Sequence, residues 1–126
     1  MLQPDSQEKD RPSLGLVEDD PVMGRSLEQR LALEGYRVAW WRSGEAALGA
    51  LAQRQPDAVI CDIRLPDMSG EDLAHAVAEL KQRPQIVLMS GEHNRLDRAR
   101  PLAQRVIQKP FSLQELTSVL EASMQG

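Results

Sequence analysis

A set of polar side chains stands directly after short apolar runs of the sequence, and their types suit phosphoryl chemistry. They are Glu18, Asp19, Asp20, Asp62, Ser90 and Lys109. Carboxylates that lie together repel one another unless a cation joins them, and oxygen-only ligands favour a hard ion such as Mg²⁺. A carboxylate is also a nucleophile toward phosphorus and can form an acyl phosphate. A hydroxyl and an ammonium beside it can then hold the phosphoryl oxygens.

Five short apolar runs alternate along the chain with segments of helical period, and these elements must position the polar set. The runs are 14–17, 38–41, 58–61, 86–89 and 106–107. Runs that are apolar throughout are typical of strands covered on both faces, and right-handed crossovers then give an open parallel sheet wrapped by helices. The pattern therefore predicts an α/β fold. In such a sheet the carboxyl ends of the strands share one edge, where we expect the polar residues to meet.

Capping signals predict where the helices begin. They stand at Asp20-Pro21, Ser43, Ser69 with Asp72, and Ser112 with Glu115. An oxygen-bearing side chain at each start accepts a backbone N–H, and proline fits the first helical position. Residues 92–104 have the weakest pattern, because Pro101 would break or kink a helix there. We therefore expect the fourth helix to be short or irregular.

Composition bounds the class of protein. The 126 residues carry 15 Lys and Arg against 19 Asp and Glu, and the net charge of −4 argues against nucleic-acid or membrane binding by this chain. The single cysteine, Cys61, excludes an internal disulfide and a Cys-based zinc site. No apolar stretch approaches the ~20 residues of a membrane span. We expect residues 1–12 to form a flexible lead-in and residues 13–126 to form one cytoplasmic domain.

Four motifs together resemble those of a known family. They are LVEDDP at 16–21, CDIRLPDMSG at 61–70, Ser90-Gly91 and Lys109-Pro110-Phe111. In this order and approximate spacing they resemble the receiver domain of bacterial response regulators in two-component signalling, over about residues 14–124. The resemblance implies a flavodoxin-like, doubly wound sheet of five parallel strands, (βα)5, in the order 2-1-3-4-5. It also implies a signalling phosphoacceptor rather than an enzyme, one that catalyses only its own phosphorylation and dephosphorylation.

The resemblance assigns the phosphoacceptor and the metal ligands. Asp62 would take a phosphoryl group from the phosphohistidine of a sensor histidine kinase or of a phosphotransfer protein. Glu18, Asp19, Asp62 and the backbone carbonyl of Arg64 would hold Mg²⁺. The phosphorylated domain would then control an output domain or a downstream protein. The sequence leaves open whether the receiver stands alone, ends a hybrid kinase or belongs to a transcription factor.

The resemblance also assigns the residues that would contact the phosphoryl group. Lys109 would pair with the phosphoryl oxygens, and a cis Lys109–Pro110 peptide would place its ammonium group at the sheet edge. Ser90 would turn inward to donate a hydrogen bond to the phosphoryl group. Asp20 falls one place beyond the acidic pair, so we interpret it as a helix cap. The family position that often carries a switch aromatic is Val106 here, so we expect no aromatic rotation coupled to Ser90.

Two rival functions remain open from the residues. A pseudo-receiver would act as an interaction module without phosphorylation, although such modules typically lose an acidic residue or the lysine that this chain retains. A metal-dependent phosphohydrolase usually needs a second Asp two residues after the nucleophile, and Arg64 occupies that position. Arg64 also suggests a hypothesis: it pairs with Glu92 across the site and tunes the access of water to the aspartyl phosphate.

Overall fold

A computed structural model describes residues 11–92 and 105–125, in which strands and helices alternate. In chain order the elements are β1 (Ser13–Val17), α1 (Pro21–Leu33), β2 (Arg37–Trp41), α2 (Gly44–Gln53), β3 (Ala58–Asp62), α3 (Gly70–Ala78), β4 (Gln85–Ser90), β5 (Arg105–Gln108) and α4 (Leu113–Gln125). The expected short or irregular helix of residues 92–104, apart from Glu92, lies outside the described residues, as do residues 1–10 of the expected lead-in.

The strands form one parallel sheet in the order β2-β1-β3-β4-β5, as expected. Successive side chains of a strand point to opposite faces. In β3, Val59 and Cys61 therefore pack on the face that α2 and α3 cover, whereas Ala58 and Ile60 pack under α1 and α4. These four side chains are fully buried. Burial on both faces explains why the run is apolar throughout, and it confirms the predicted α/β architecture.

The predicted capping residues start the helices. The Asp20 carboxylate accepts backbone N–H groups of the first turn of α1, and the Ser43 hydroxyl caps α2. Ser69 and Asp72 form a reciprocal capping box at α3. Gly35 follows α1 in the left-handed region, at φ 103°, a conformation that glycine adopts without strain.

The register of the strands brings their carboxyl ends level. Val17 pairs with Cys61, so Glu18 and Asp62 follow side by side on neighbouring strands. Asp62 in turn pairs with Met89, the residue before Ser90. Ser90 pairs with Gln108, the residue before Lys109. Parallel pairing therefore assembles one edge from residues that are up to 91 positions apart in the chain.

Candidate functional site: an acidic cluster at the carboxyl edge of the sheet

Three carboxylates converge at this edge. Oxygen atoms of Glu18, Asp19 and Asp62 all lie within 4.8 Å of one another. Glu18 is buried, with 1% of its side chain exposed, whereas 13% of Asp62 is exposed and Asp19 faces solvent. The cluster thus runs from a buried carboxylate, Glu18, through the largely buried Asp62 to the exposed Asp19.

Lys109 is the cation that holds two of these carboxylates. Its Nζ lies 2.8 Å from Asp62 Oδ2 and 3.2 Å from Glu18 Oε1. Burial alone would lower the pKa of Lys109, but its hydrogen bond to Asp62 and the charges of Asp62 and Glu18 outweigh burial and raise it. Lys109 is therefore a fixed positive charge at neutral pH. The Lys109–Pro110 peptide is cis, as the resemblance implied.

Glu18 occupies the least favourable position for a charge. Burial raises the pKa of Glu18, and the nearby charge of Asp62 raises it further, while the Asp20 N–H and Lys109 lower it. The net shift is upward. An additional cation at the cluster would relieve this cost, because it neutralises charges that one ammonium leaves unbalanced.

The donor set suits a hard divalent cation. The possible metal ligands in the cluster are all carboxylate oxygens, the ligand type that Mg²⁺ prefers. The two oxygens of Asp62 are held separately, because Arg64 N–H donates to Oδ1 at 3.1 Å while Lys109 donates to Oδ2. This hydrogen bond holds the backbone of Arg64 against the Asp62 carboxylate.

Ser90 is buried at the end of β4 on the same edge. Its Oγ accepts the N–H of Glu92 at 2.9 Å, and its carbonyl accepts the N–H of Lys109, also at 2.9 Å. Ser90 and Lys109 are thus linked through the backbone. Asp20 is not part of the cluster, because its side chain caps α1, which confirms the cap interpretation. Val106 lies half-buried in β5 and supplies no aromatic ring.

The loop after Asp62 is held by a residue whose role the sequence did not reveal. Asp67 accepts the N–H groups of Gly44 and Glu45, at 2.9 and 2.8 Å, and so caps the amino end of α2. The hydrogen bond from Glu45 and then that from Gly44 lower the pKa of Asp67. Gly70 closes the loop, because a Cβ there would lie 2.7 Å from the Asp62 carbonyl oxygen.

Arg64 and Glu92 form an ion pair, as hypothesised from their positions after Asp62 and Ser90. The pair joins Arg64 Nη2 to Glu92 Oε1, with 72% and 42% of the two side chains exposed. It connects the loop after β3 to the loop after β4. The loops that follow β3 and β4 are therefore joined by a side-chain ion pair as well as by the pairing of the two strands.

The parallel sheet and the carboxylate cluster at its carboxyl edge are shared with a family of signalling domains. The family model described as "Response regulator receiver domain" matches residues 14–121. The chain belongs to this family. No helix within the described residues is long and apolar enough to cross a membrane.

Known relatives and solved structures agree with that assignment. The chain is 35% identical over 112 residues to the transcriptional regulatory protein KdpE of Mycobacterium tuberculosis, covering 86% of this chain and 49% of KdpE. Against the transcriptional regulatory protein QseB of Escherichia coli O157:H7 it is 33% identical, covering 86% and 51%. The chain thus spans about half the length of these curated relatives.

Two solved structures share the whole fold. A putative response regulator from Chloroflexus aurantiacus has a TM-score of 0.88 at 29% identity, covering 93% of this chain and all of that one. A CheY-like response regulator receiver domain from Methylobacillus flagellatus has a TM-score of 0.83 at 28% identity, covering 90% and 98%. The flavodoxin-like fold expected from the resemblance is thereby confirmed.

Proposed function

We propose that this receiver domain, residues 13–126, accepts a phosphoryl group on Asp62 in a Mg²⁺-dependent reaction. The donor is the phosphohistidine of a sensor histidine kinase or of a phosphotransfer protein. The observation that carries the proposal is the setting of Asp62, whose side chain is 13% exposed, contacts Lys109 and adjoins Glu18 and Asp19. The receiver acts in the cytoplasm and catalyses only its own phosphorylation and dephosphorylation.

Asp62 is the nucleophile of the transfer. One carboxylate oxygen of Asp62 forms the new O–P bond as the P–N bond of the phosphohistidine breaks, and the imidazole leaves with that electron pair. Lys109 and the Arg64 N–H fix the carboxylate before attack, because each holds one of its oxygens. A nucleophile held in one orientation needs no further ordering in the transition state.

Glu18, Asp19, Asp62 and the Arg64 carbonyl are the groups that would hold Mg²⁺. When bound, Mg²⁺ supplies positive charge that offsets the negative charge of the phosphoryl oxygens. Lys109 adds a positive charge beside Asp62 and remains as a partner for the phosphoryl group.

Phosphorylation changes the balance of charge at an edge that is already acidic. A phosphoryl group adds roughly −1.5 to −2 charge. Ser90 already accepts the Glu92 N–H, so its own hydroxyl proton is the group that can be donated to the phosphoryl oxygens. Because Ser90 and Lys109 are linked through their backbones, both respond together and shift a pre-existing equilibrium. The change is read by an output domain or a downstream protein, as the transcriptional regulators among the relatives suggest.

The proposal is tested by intact mass after incubation with Mg²⁺ and acetyl phosphate. We expect the wild type to gain the mass of one phosphoryl group, and Asp62→Asn or removal of Mg²⁺ to abolish the gain. Asp57→Asn is the matched control, because Asp57 is an exposed aspartate at the opposite edge of the sheet. An adduct on Asp62→Asn, or none on the wild type under cold, saturating conditions, would contradict the proposal and favour the pseudo-receiver.

A further inference from the structure

The end of β2 makes consecutive contacts with the loop that carries the acidic pair. The Glu18 N–H donates to the Trp41 carbonyl at 3.0 Å, and the Trp40 Nε1–H donates to the Glu18 carbonyl at 2.8 Å. The Arg42 Nη2 donates to the Asp19 carbonyl at 3.1 Å. The carbonyl groups of Glu18 and Asp19 are thus held by Trp40 of β2 and by Arg42, the residue that follows β2.

The indole of Trp40 is fixed between this loop and α1. It packs on the face of the sheet that α1 covers, directly over Gly24. A Cβ at Gly24 would lie 2.2 Å from Trp40 Cζ2 and 2.6 Å from Nε1, so the ring fills the space that the glycine leaves. Trp41 packs on the opposite face, over Gly15, and its indole makes no hydrogen bond to any part of the chain that the structure describes.

Fixing this loop matters because its side chains repel one another. Glu18, Asp19 and Asp62 hold their oxygens within 4.8 Å, and without restraint the loop would relax by moving Glu18 and Asp19 apart. A cation that binds such a relaxed loop must first restore the geometry, which lowers its affinity. Ties from neighbouring residues to the backbone beside metal ligands remove that cost.

We infer that Trp40 is a positioning residue for the divalent-cation site: its indole N–H holds the Glu18 carbonyl and thereby keeps the acidic pair in the geometry that binds Mg²⁺. The inference rests on the proposed function, because it concerns the same cation. Arg42 holds the next carbonyl in the same way, but its positive charge also opposes a cation nearby. Trp40 is neutral, so replacing it isolates positioning from charge.

Calorimetric titration of the purified protein with MgCl₂ tests this inference. We expect Trp40→Phe, which keeps an aromatic ring over Gly24 but lacks the donor, to raise the Kd for Mg²⁺ about 3- to 10-fold, the factor that one hydrogen bond contributes. Trp41→Phe is the matched control and should leave the Kd unchanged. Gly24→Ala keeps the indole but displaces the ring, so it should also raise the Kd.

Fluorescence provides a readout that a merely structural role would not affect. The chain has two tryptophans, so each Trp→Phe variant retains a single emitter. In Trp41→Phe, the emission of Trp40 should change as Mg²⁺ is added, with the same midpoint as the calorimetric titration. In Trp40→Phe, the emission of Trp41 should stay constant.

The outcomes separate this inference from the proposed function. A wild type that binds no Mg²⁺ overturns the proposed function and the inference with it. A wild type that binds Mg²⁺ with the same Kd as folded Trp40→Phe overturns the inference alone. Equal losses of affinity in Trp40→Phe and Trp41→Phe also overturn it, because they would reflect a general loosening of β2.

Discussion

The two edges of the same sheet place carboxylates in opposite situations. At the amino edge, the Asp57 carboxylate accepts the N–H of Ser13 at 2.8 Å, and the Asp57 backbone bonds to Ser13 and Gln85. Asp57, with a single exposed carboxylate, thus connects the starts of β1 and β4. At the carboxyl edge, three carboxylates converge on one ammonium.

The difference shows which edge serves stability and which serves function. A lone carboxylate with a backbone donor is stabilising, because its charge stays hydrated while its hydrogen bond is satisfied. At the carboxyl edge, burial and then the charge of Asp62 raise the pKa of Glu18, although the Asp20 N–H and Lys109 lower it, so the ionised form of Glu18 is disfavoured. A local arrangement that opposes stability is expected at a functional site.

Replacing Lys109, the cation that contacts Glu18 and Asp62, should have a larger effect than the other substitutions below. We expect Lys109→Ala to slow phosphoryl uptake from acetyl phosphate about 100-fold, because a fixed charge that stabilises the transition state is lost. Intact mass followed over time measures the rate. Lys81→Ala is the control, because Lys81 is an exposed lysine away from the site. A rate equal to that of the wild type would show that Lys109 serves only the structure.

Neutralising the buried carboxylate should raise stability while weakening cation binding. The pKa of Glu18 in the folded protein lies above its usual value, so Glu18 lowers stability as pH rises past that usual value, and the loss is complete above the folded pKa. We expect Glu18→Gln to stabilise the metal-free protein at pH 8, because glutamine carries no charge for burial to oppose. The gain should vanish below the ordinary pKa of glutamate, where both states are protonated.

Urea unfolding of wild type and Glu18→Gln across this pH range, with a chelator present, measures the effect. Asp67→Asn should change stability in the opposite direction and destabilise the folded protein at neutral pH. Hydrogen bonds from Glu45 and Gly44 lower the pKa of Asp67, so its contribution is present at neutral pH and lost as pH falls through that lowered pKa. If Glu18→Gln destabilised the protein at pH 8, the carboxyl edge would not oppose stability as we describe.

Breaking the ion pair over the site should have a modest kinetic effect. We expect Arg64→Ala to speed the loss of the aspartyl phosphate, at most about fivefold, because an exposed ion pair contributes about 1 kcal/mol or less. Glu92→Ala should match it, and Arg83→Ala, at an exposed position elsewhere, should change nothing. The decay of phosphorylated protein after removal of the donor measures the rate. An unchanged decay rate in Arg64→Ala would refute the hypothesis that the pair limits water access.

The smallest effect is expected at the amino edge. Asp57→Ala removes the acceptor of the Ser13 N–H, so the midpoint of thermal unfolding should fall by a few degrees. Phosphoryl uptake should be the same as in the wild type, because this edge has no part in the chemistry. A loss of uptake in a folded Asp57→Ala protein would remove the contrast between the two edges.

The sequence predicted the elements and the members of the acidic cluster because both follow from short-range signals. The strand β3 is apolar throughout, and the caps at Asp20 and Ser69 use local hydrogen bonds. Once parallel strands are assumed, topology places Glu18, Asp62 and Lys109 at one edge without knowledge of any side-chain geometry. The resemblance supplied the strand order and the cis peptide.

The contacts of Asp67 and Trp40 were not predicted, because each joins a side chain to backbone more than 20 residues away. Such bonds depend on the path of a loop and on one rotamer, and neither has a periodic pattern in the sequence. A signal was nevertheless present. Gly24 inside α1 costs helix stability, and it lies under Trp40, which needs the space. Gly44 at the start of α2 lies under Met68 in the same way.

Under the proposed function, Asp62 alone among the aspartates of the chain receives the phosphoryl group. Borohydride reduction of the phosphorylated protein converts the acyl phosphate to homoserine, which peptide mass spectrometry then locates. We predict homoserine at position 62 alone, dependent on both Mg²⁺ and the phosphodonor. Homoserine at position 19 or at any other aspartate, with position 62 unchanged, would contradict the account.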